Sequence, residues 1–501
     1  MAETSNSSAV AAGEPDAAKK LRAAVEQLLA MAPVCSEGAV QPDGHAHAMR
    51  YAARVEFLPV VAEGFEAARG EPDAAVMATS YCLQGDAPPD RPVCFAFNGG
   101  PGSASIWLHL GALGPRRVVV PDDGSAPRAP YHVVDNPLTW FEHFDLVFID
   151  PPHTGWSITA SEAARKRMLS VDGDVDALAE VMRAWLTRHR RWSAPLVLAG
   201  ESYGTTRAAA LADKLQVAGL PLAGLVLVSC AMDLQTIAFG PGNELPYALF
   251  VPGFAGVAQH HGLLDGAVAA SPEAARAAAE AFVAEDYVAA LHRGSRLEGR
   301  QRTRIARRLA ELTGLSRDLV EQRNLRISDH TYFIEALRPR GQILGRLDAR
   351  VSAPMAASGG PDWDFDPGIE SIAGPYTMAA MDYFGRTLGV PIERRYEVLN
   401  RDAHKAWNWN RGDAQGNGYA CTTPDLARAL RRHPHLKVFV ASGHYDLGTP
   451  YSATDWSLSH LDVPAEVMQR VTHHRYDAGH MMYTRGDDLL KLKNDLTRWL
   501  G

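Results

Sequence analysis

Gly200-Glu201-Ser202-Tyr203-Gly204 is entered from Pro195-Leu196-Val197-Leu198-Ala199 and left through Thr205 to Val217. The first flank is a short apolar run that reads as a buried strand; the second, rich in alanine and leucine, reads as a helix. A serine between two glycines at a strand-to-helix junction sits in a strained turn with its hydroxyl lifted clear of the backbone, a nucleophile elbow.

The partners such a serine needs follow downstream. Leu436 to Ala441 is a second strand-like run, and Ser442-Gly443-His444-Tyr445-Asp446 places Asp446 at the carboxyl edge of a parallel sheet, where such sheets keep their sites. Tyr476-Asp477-Ala478-Gly479-His480-Met481 then offers His480 in a loop before a last helix, Asp487 to Leu500. The order Ser, Asp, His is that of an α/β-hydrolase, an α/β fold with a doubly wound, mostly parallel sheet. In this reading His480 takes the Ser202 proton, and Asp446 fixes the imidazole tautomer and stabilises its positive charge. The chain has 19 histidines; His473 and His474 lie inside a strand-like stretch and are read as structural.

Val93 to Phe97 is another strand, running into Asn98-Gly99-Gly100-Pro101-Gly102-Ser103-Ala104-Ser105. Glycines let backbone N–H groups approach a substrate, and the loop after this strand supplies half of the oxyanion hole in this fold. Gly100 and Tyr203 are the expected donors. The loop lacks the G-K-[ST] ending of a P-loop and the third glycine of a dinucleotide fingerprint, so it is not read as a phosphate cradle.

With these blocks the chain resembles the serine carboxypeptidases, peptidase family S10. The resemblance rests on Asn98-Gly99-Gly100-Pro101-Gly102 with Ser105, on Gly200 to Gly204, on Gly443-x-x-Asp446 and on Ala478-Gly479-His480-Met481. Phe148-Ile149-Asp150-Pro151-Pro152 with Thr154-Gly155-Trp156-Ser157 adds to it, and the blocks run in the family's order from about residue 90 to the C-terminus. It implies a triad of Ser202, Asp446 and His480, oxyanion donors Gly100 and Tyr203, and recognition of a peptide's free C-terminal carboxylate by Asn98 and Glu201. Two carboxylates share a site only if one is protonated, so an acid preference follows. The alternative for Glu201 is a side chain that borders the elbow and points into solvent.

Three positions depart from the family. Ser103 stands where many members have a cysteine. Ala112, before Leu113-Gly114-Pro115, stands where many have a glutamate, which puts the acid optimum in question. Ala96 stands where an aromatic residue is common, so a wider leaving-group pocket is expected.

The composition, 46% hydrophobic and 22% charged over 501 residues, is that of a large globular enzyme. A net charge of -8 and a pI near 6.2 give no attraction for nucleic acid. Arg302 to Arg308 is read as a solvated helix face. No apolar run of about 18 residues is present, so no membrane span is expected. The N-terminal residues lack a secretory pattern, and Cys35, Cys82, Cys94, Cys230 and Cys421 form no tight spacing, which together point to a reducing, cytoplasmic setting against the family's frequent export. H-E-x-x-H is absent and His45-x-His47 lacks an acidic partner, so neither a metal nor another cofactor is expected. No oligomeric state can be read.

Residues 1–18 read as a disordered tail, with a short helix over 23–32. Residues 19–239 form the first part of the hydrolase core, with strands around Val55 to Val61, Ala75 to Cys82 and Leu222 to Ser229 and a crossover helix at Asp172 to Arg190. Residues 240–400 form a helical cap insertion, notably Pro272 to Ala290 and Arg300 to Leu315, and 401–501 complete the core. Trp363, Tyr383, Trp407 and Trp409 are pocket candidates, each also readable as packing. The function expected is a serine-type carboxypeptidase acting on peptides. An esterase or acyltransferase on the same site is the first alternative, and a non-catalytic binding protein that kept the fold is the second.

Overall fold

The computed structural model describes residues 8–61, 70–85, 87–360, 362–411 and 418–501, with the side chains of 8–17 outside that description. Residues 1–7 of the expected tail are likewise outside it, and the rest is helical: one alanine-rich helix covers Ser8–Ala30, starting earlier than the expected 23–32. The chain divides into two units, the first made of Met1–Arg117, Val133–Leu225 and Ala379–Ala420, the second of Val118–His132, Val226–Met378 and Cys421–Gly501.

In unit one, β1 (Val34–Val40), β2 (Met49–Val61) and β3 (Pro72–Leu83) pair antiparallel. Strands β4 (Val93–Phe97), β5 (Asp145–Ile149) and β6 (Leu196–Glu201) are buried throughout, and β4 pairs parallel with both β5 and β6. Their continuous apolar runs are what a parallel sheet covered on both faces requires. The crossover helix α1 (Val171–His189) precedes β6, and α2 (Tyr203–Val217) follows it. Ser170 caps α1 by accepting the Gly173 N–H at 3.1 Å, and the helix stops at Arg190 in the left-handed region.

Strand β7 (Leu222–Val228) begins in unit one and ends in unit two, which also holds β8 (Lys437–Gly443) and β9 (Val471–Tyr476), paired parallel from Val438↔Val471 to Gly443↔Tyr476. The strand order is β1-β2-β3-β5-β4-β6-β7-β8-β9, a mixed but mostly parallel sheet. Unit two carries a helical layer of α3 (Val251–His260), α4 (Pro272–Phe282), α5 (Gly299–Thr313) and α6 (Asp329–Glu335), and closes with α7 (Gly486–Leu500). Its core includes Phe254, Ala279, Ile305, Leu309 and Tyr332, with Tyr332 stacked on Phe254 at 4.0 Å.

The expected cap, 240–400, is divided differently: Ala379–Ala420 belongs to unit one. There Phe384 and Tyr396 pack on Trp156, and the Tyr383 hydroxyl bonds that of Tyr81 at 2.9 Å.

Candidate active site

Unit one holds Ser202, Tyr203, Glu201, Asn98 and Gly100. Ser202 has φ 61°, ψ -130°, a left-handed conformation rare for a residue with a side chain and costing on the order of 1–3 kcal/mol. Its neighbours explain how the turn is made. A Cβ on Gly200 would lie 2.2 Å from the Gly204 carbonyl oxygen, and one on Gly204 2.8 Å from that of Phe97. The motif's glycines are therefore required by backbone contact. Tyr203 opens α2, so its N–H has no intrahelical acceptor and lies at the positive end of the helix dipole.

The glycine loop abuts this turn. A Cβ on Gly99 would lie 2.4 Å from the Tyr203 nitrogen and 2.8 Å from the Glu201 oxygen, and Gly100 has φ +100°. Gly100 and Tyr203 are thus on adjoining stretches of backbone, as an oxyanion hole requires. Asn98 is buried, and its Oδ1 accepts the Leu108 N–H at 3.0 Å, which orients Nδ2, a donor suited to a carboxylate, the other way. Glu201 is 3% exposed, so the alternative that it points into solvent is overturned; as the last residue of β6 it is enclosed with its strand.

Unit two holds Asp446 and His480. His480 Nδ1 lies 2.7 Å from Asp446 Oδ2, and both side chains are buried. Asp446 also accepts from the Gly448 N–H at 2.8 Å, the Thr449 N–H at 3.0 Å and the Thr449 hydroxyl at 2.7 Å. With Nδ1–H on the carboxylate, the basic lone pair of His480 is on Nε2. The His480 loop is fixed through its backbone: His480 N–H donates to Leu347 O at 2.6 Å, and the Ser229 hydroxyl to His480 O at 2.6 Å. Thr449, Leu347 and Ser229 were not singled out in the sequence. Only Thr449 carried a signal, as the third residue beyond Asp446 in a turn-forming Leu-Gly-Thr.

His473 is part of a second Ser, His, Asp set. Its Nε2 lies 2.9 Å from Ser442 Oγ and its Nδ1 2.8 Å from Asp455 Oδ1. Ser442 is fully enclosed within β8, so no substrate carbonyl reaches it, and the structural reading of His473 stands.

The other sequence candidates fall as follows. Trp363 stacks on Phe333 and gives its N–H to Leu344 O, and Tyr383 is buried, so both are packing residues. Trp407 and Trp409 stand edge-on to Tyr203, at 5.2 and 5.7 Å. Ala96 is enclosed between β5 and β6, which removes the expectation that it widens a pocket. Ser103 accepts the Trp107 indole N–H at 3.0 Å, and Ala112 is buried with its carbonyl on Asn136 Nδ2 at 2.8 Å. Among the described residues no group of three or more metal-ligating side chains occurs, and no helix is long and apolar enough to cross a membrane. None of Cys35, Cys82, Cys94, Cys230 and Cys421 forms a disulfide.

Asp150 directly follows β5 and is buried. Burial raises its carboxyl to about 6, against the opposing hydrogen bonds from Tyr396 and Ser105. A folded value above the ordinary 3.8 means that its contribution to stability is complete below about pH 3.8 and is lost as pH rises through about 6. Between pH 4 and pH 7 the wild type is expected to lose about 2 kcal/mol more unfolding free energy than Asp150→Asn, at no more than about 1.4 kcal/mol per pH unit across the window. Urea titrations of both proteins at the two pH values check this, and equal losses refute it.

The mixed, mostly parallel sheet with helices between its parallel strands is the α/β-hydrolase fold. More narrowly, residues 81–219 match the Peptidase_S10 family model, serine carboxypeptidase. Among solved structures it is similar to Kex1(delta)p, a prohormone-processing carboxypeptidase from Saccharomyces cerevisiae, at 14% identity and TM-score 0.56 over 90% of this chain and 91% of that one. It also matches an aryl esterase of Burkholderia cenocepacia (11% identity, TM-score 0.36, 93% and 99% covered). A proline iminopeptidase of Mycobacterium smegmatis matches similarly (11%, 0.35, 93% and 98%). Both likenesses are too slight to bear on function. No curated protein sequence matches the chain.

Proposed function

We propose that the protein is a serine-type carboxypeptidase that removes C-terminal amino acids from peptides. The observation that carries this reading is Glu201, a buried residue next to Ser202 in the chain. A carboxyl enclosed beside the nucleophile can, when protonated, donate a hydrogen bond to a substrate carboxylate. In the reaction Ser202 Oγ attacks the last peptide carbonyl while His480 Nε2 takes its proton, and the Gly100 and Tyr203 amides hold the oxyanion. The C–N bond breaks as His480 protonates the departing amine. Water, deprotonated by His480, then attacks the acyl-Ser202 ester and releases the shortened peptide. Protonated Glu201 and Asn98 Nδ2 donate to the substrate's terminal carboxylate.

The test is mass spectrometry of an N-blocked peptide, with a free or an amidated C-terminus, across acidic to neutral pH, alongside Ser202→Ala. Stepwise loss of residues from the free acid alone, absent in the variant, is expected. KM for the free acid is expected to rise with pH as Glu201 ionises, and Glu201→Gln to flatten that rise. Turnover of a simple ester with both peptides left intact would favour the esterase or acyltransferase, and a protein that neither cleaves nor takes a fluorophosphonate on Ser202 would be a binding protein.

A further inference from the structure

Asp150 plays no part in the reaction above, yet it is 5% exposed and directly follows β5, the strand next to the one that Asn98 follows. Its two hydrogen-bond donors are both neutral: the Ser105 N–H at 2.8 Å on Oδ1 and the Tyr396 hydroxyl at 2.7 Å on Oδ2. Room for the carboxylate exists because residue 155 is glycine, where a Cβ would lie 2.0 Å from Oδ2. An acid buried without a cation is costly, so its place calls for an explanation beyond packing.

The two donors lie on either side of one feature. Ser105 closes the stretch Asn98 to Ser105 that contains Gly100, and its hydroxyl also donates to the Ile149 carbonyl. Tyr396 opens a segment that runs along the same stretch. Gly155 bridges Glu397, Ala104 N–H donates to Val398 O at 3.0 Å, Ser103 bridges Leu399, and Asn400 N–H donates to Gly102 O at 2.8 Å. A Cβ on Gly102 would lie 2.7 Å from Asn400 O, so the two backbones are in direct contact. The glycine loop is thereby held between the end of β5 and residues 397–400, and one carboxylate bonds to both sides.

We propose that Asp150 is a positioning residue for the oxyanion hole: by accepting from Ser105 and Tyr396 together it fixes the glycine loop, and with it the Gly100 N–H. This rests on the reading of Gly100 as an oxyanion donor. Asparagine at 150 keeps an acceptor for Ser105 N–H and an amide that can donate to the Tyr396 oxygen, so it preserves the tether without the charge. Alanine removes the tether. A donor that acts on the oxyanion acts in the transition state, so the loss belongs in kcat and leaves KM alone.

The experiment compares wild type, Asp150→Asn, Asp150→Ala and Tyr396→Phe at pH 7. It measures kcat and KM on a p-nitrophenyl ester and on a free-acid peptide, the rate of Ser202 phosphonylation by a fluorophosphonate, and thermal melts. Asp150→Ala is expected to lose at least about tenfold in kcat and in phosphonylation rate, with KM within about twofold. Asp150→Asn is expected to recover most of that loss, and Tyr396→Phe to lose a few-fold in kcat alone. If Asp150→Ala does not fold, Tyr396→Phe decides, and an unchanged kcat there overturns the proposal. A loss confined to KM, or one that asparagine does not restore, overturns it too. Wild type that turns over the ester but not the peptide refutes the carboxypeptidase and leaves the Asp150 comparison standing, whereas wild type inert to both ester and fluorophosphonate refutes both.

Discussion

Asp446→Asn is expected to lower kcat by about 10⁴-fold with the fold intact. The asparagine oxygen can still accept from the Gly448 and Thr449 amides, which in the wild type lie 2.8 and 3.0 Å from Oδ1, so the turn keeps its anchors. The new Nδ2 faces His480 Nδ1, where the carboxylate oxygen stood at 2.7 Å. A donor there forces the imidazole proton onto Nε2, and a protonated Nε2 cannot take the serine proton. Steady-state rates on the free-acid peptide check the magnitude, and a loss under about tenfold would sink the assignment of Asp446. Groups that act as a unit are not additive, so Ser202→Ala with Asp446→Asn is expected to be no slower than Ser202→Ala alone. Asp455→Asn serves as the contrast: its histidine is bonded to the enclosed Ser442, and kcat is expected to stay within about twofold.

What could be read beforehand and what could not separate on physical grounds. Ser202 was legible because an elbow needs small residues on both sides, and that need is written in five consecutive letters. Asp446 and His480 were legible because strand-like runs ended just before them, and β8 and β9 are where those runs put them. The burial of Glu201 was left open, because a charged letter says nothing of whether its strand continues through it; here β6 does, and encloses the side chain. The supports of His480 were hidden for another reason. Leu347 acts through a carbonyl that any residue would supply, about 130 positions upstream, and its bond at 2.6 Å leaves no trace in the side-chain pattern. The same holds for residues 397–400, whose backbone bonds to the glycine loop place them in unit one although their composition suggested the cap.

Arg207→Leu is expected to cost about 3–5 kcal/mol of stability. Arg207 is fully buried four residues into α2; its Nε donates to Asp174 Oδ2 at 2.6 Å and Nη1 donates to the Asn98 carbonyl. The guanidinium lies over the rings of Tyr203 at 5.1 Å and Phe97 at 5.5 Å. One cation thus ties α1, α2 and the end of β4 together beneath the elbow. Burial raises the Asp174 carboxyl, and Arg207 is the group that opposes this. Without it the acid must stay buried and unpaired or take up a proton, and either costs more than the lost hydrogen bonds. Leucine at both positions removes the uncompensated charge, so Arg207→Leu with Asp174→Leu is expected to recover a large part of the stability lost in Arg207→Leu alone. Lysine is expected to be a poor substitute, since a single ammonium cannot reach Asp174 and the Asn98 carbonyl with the planar geometry of a guanidinium. Urea unfolding of the wild type and the three variants at pH 7 checks the series. A single Arg207→Leu within about 1 kcal/mol of wild type would show that the pair is not what holds the elbow's base, whereas recovery in the double variant without recovery of kcat would show that Arg207 also orients the Asn98 backbone for the reaction.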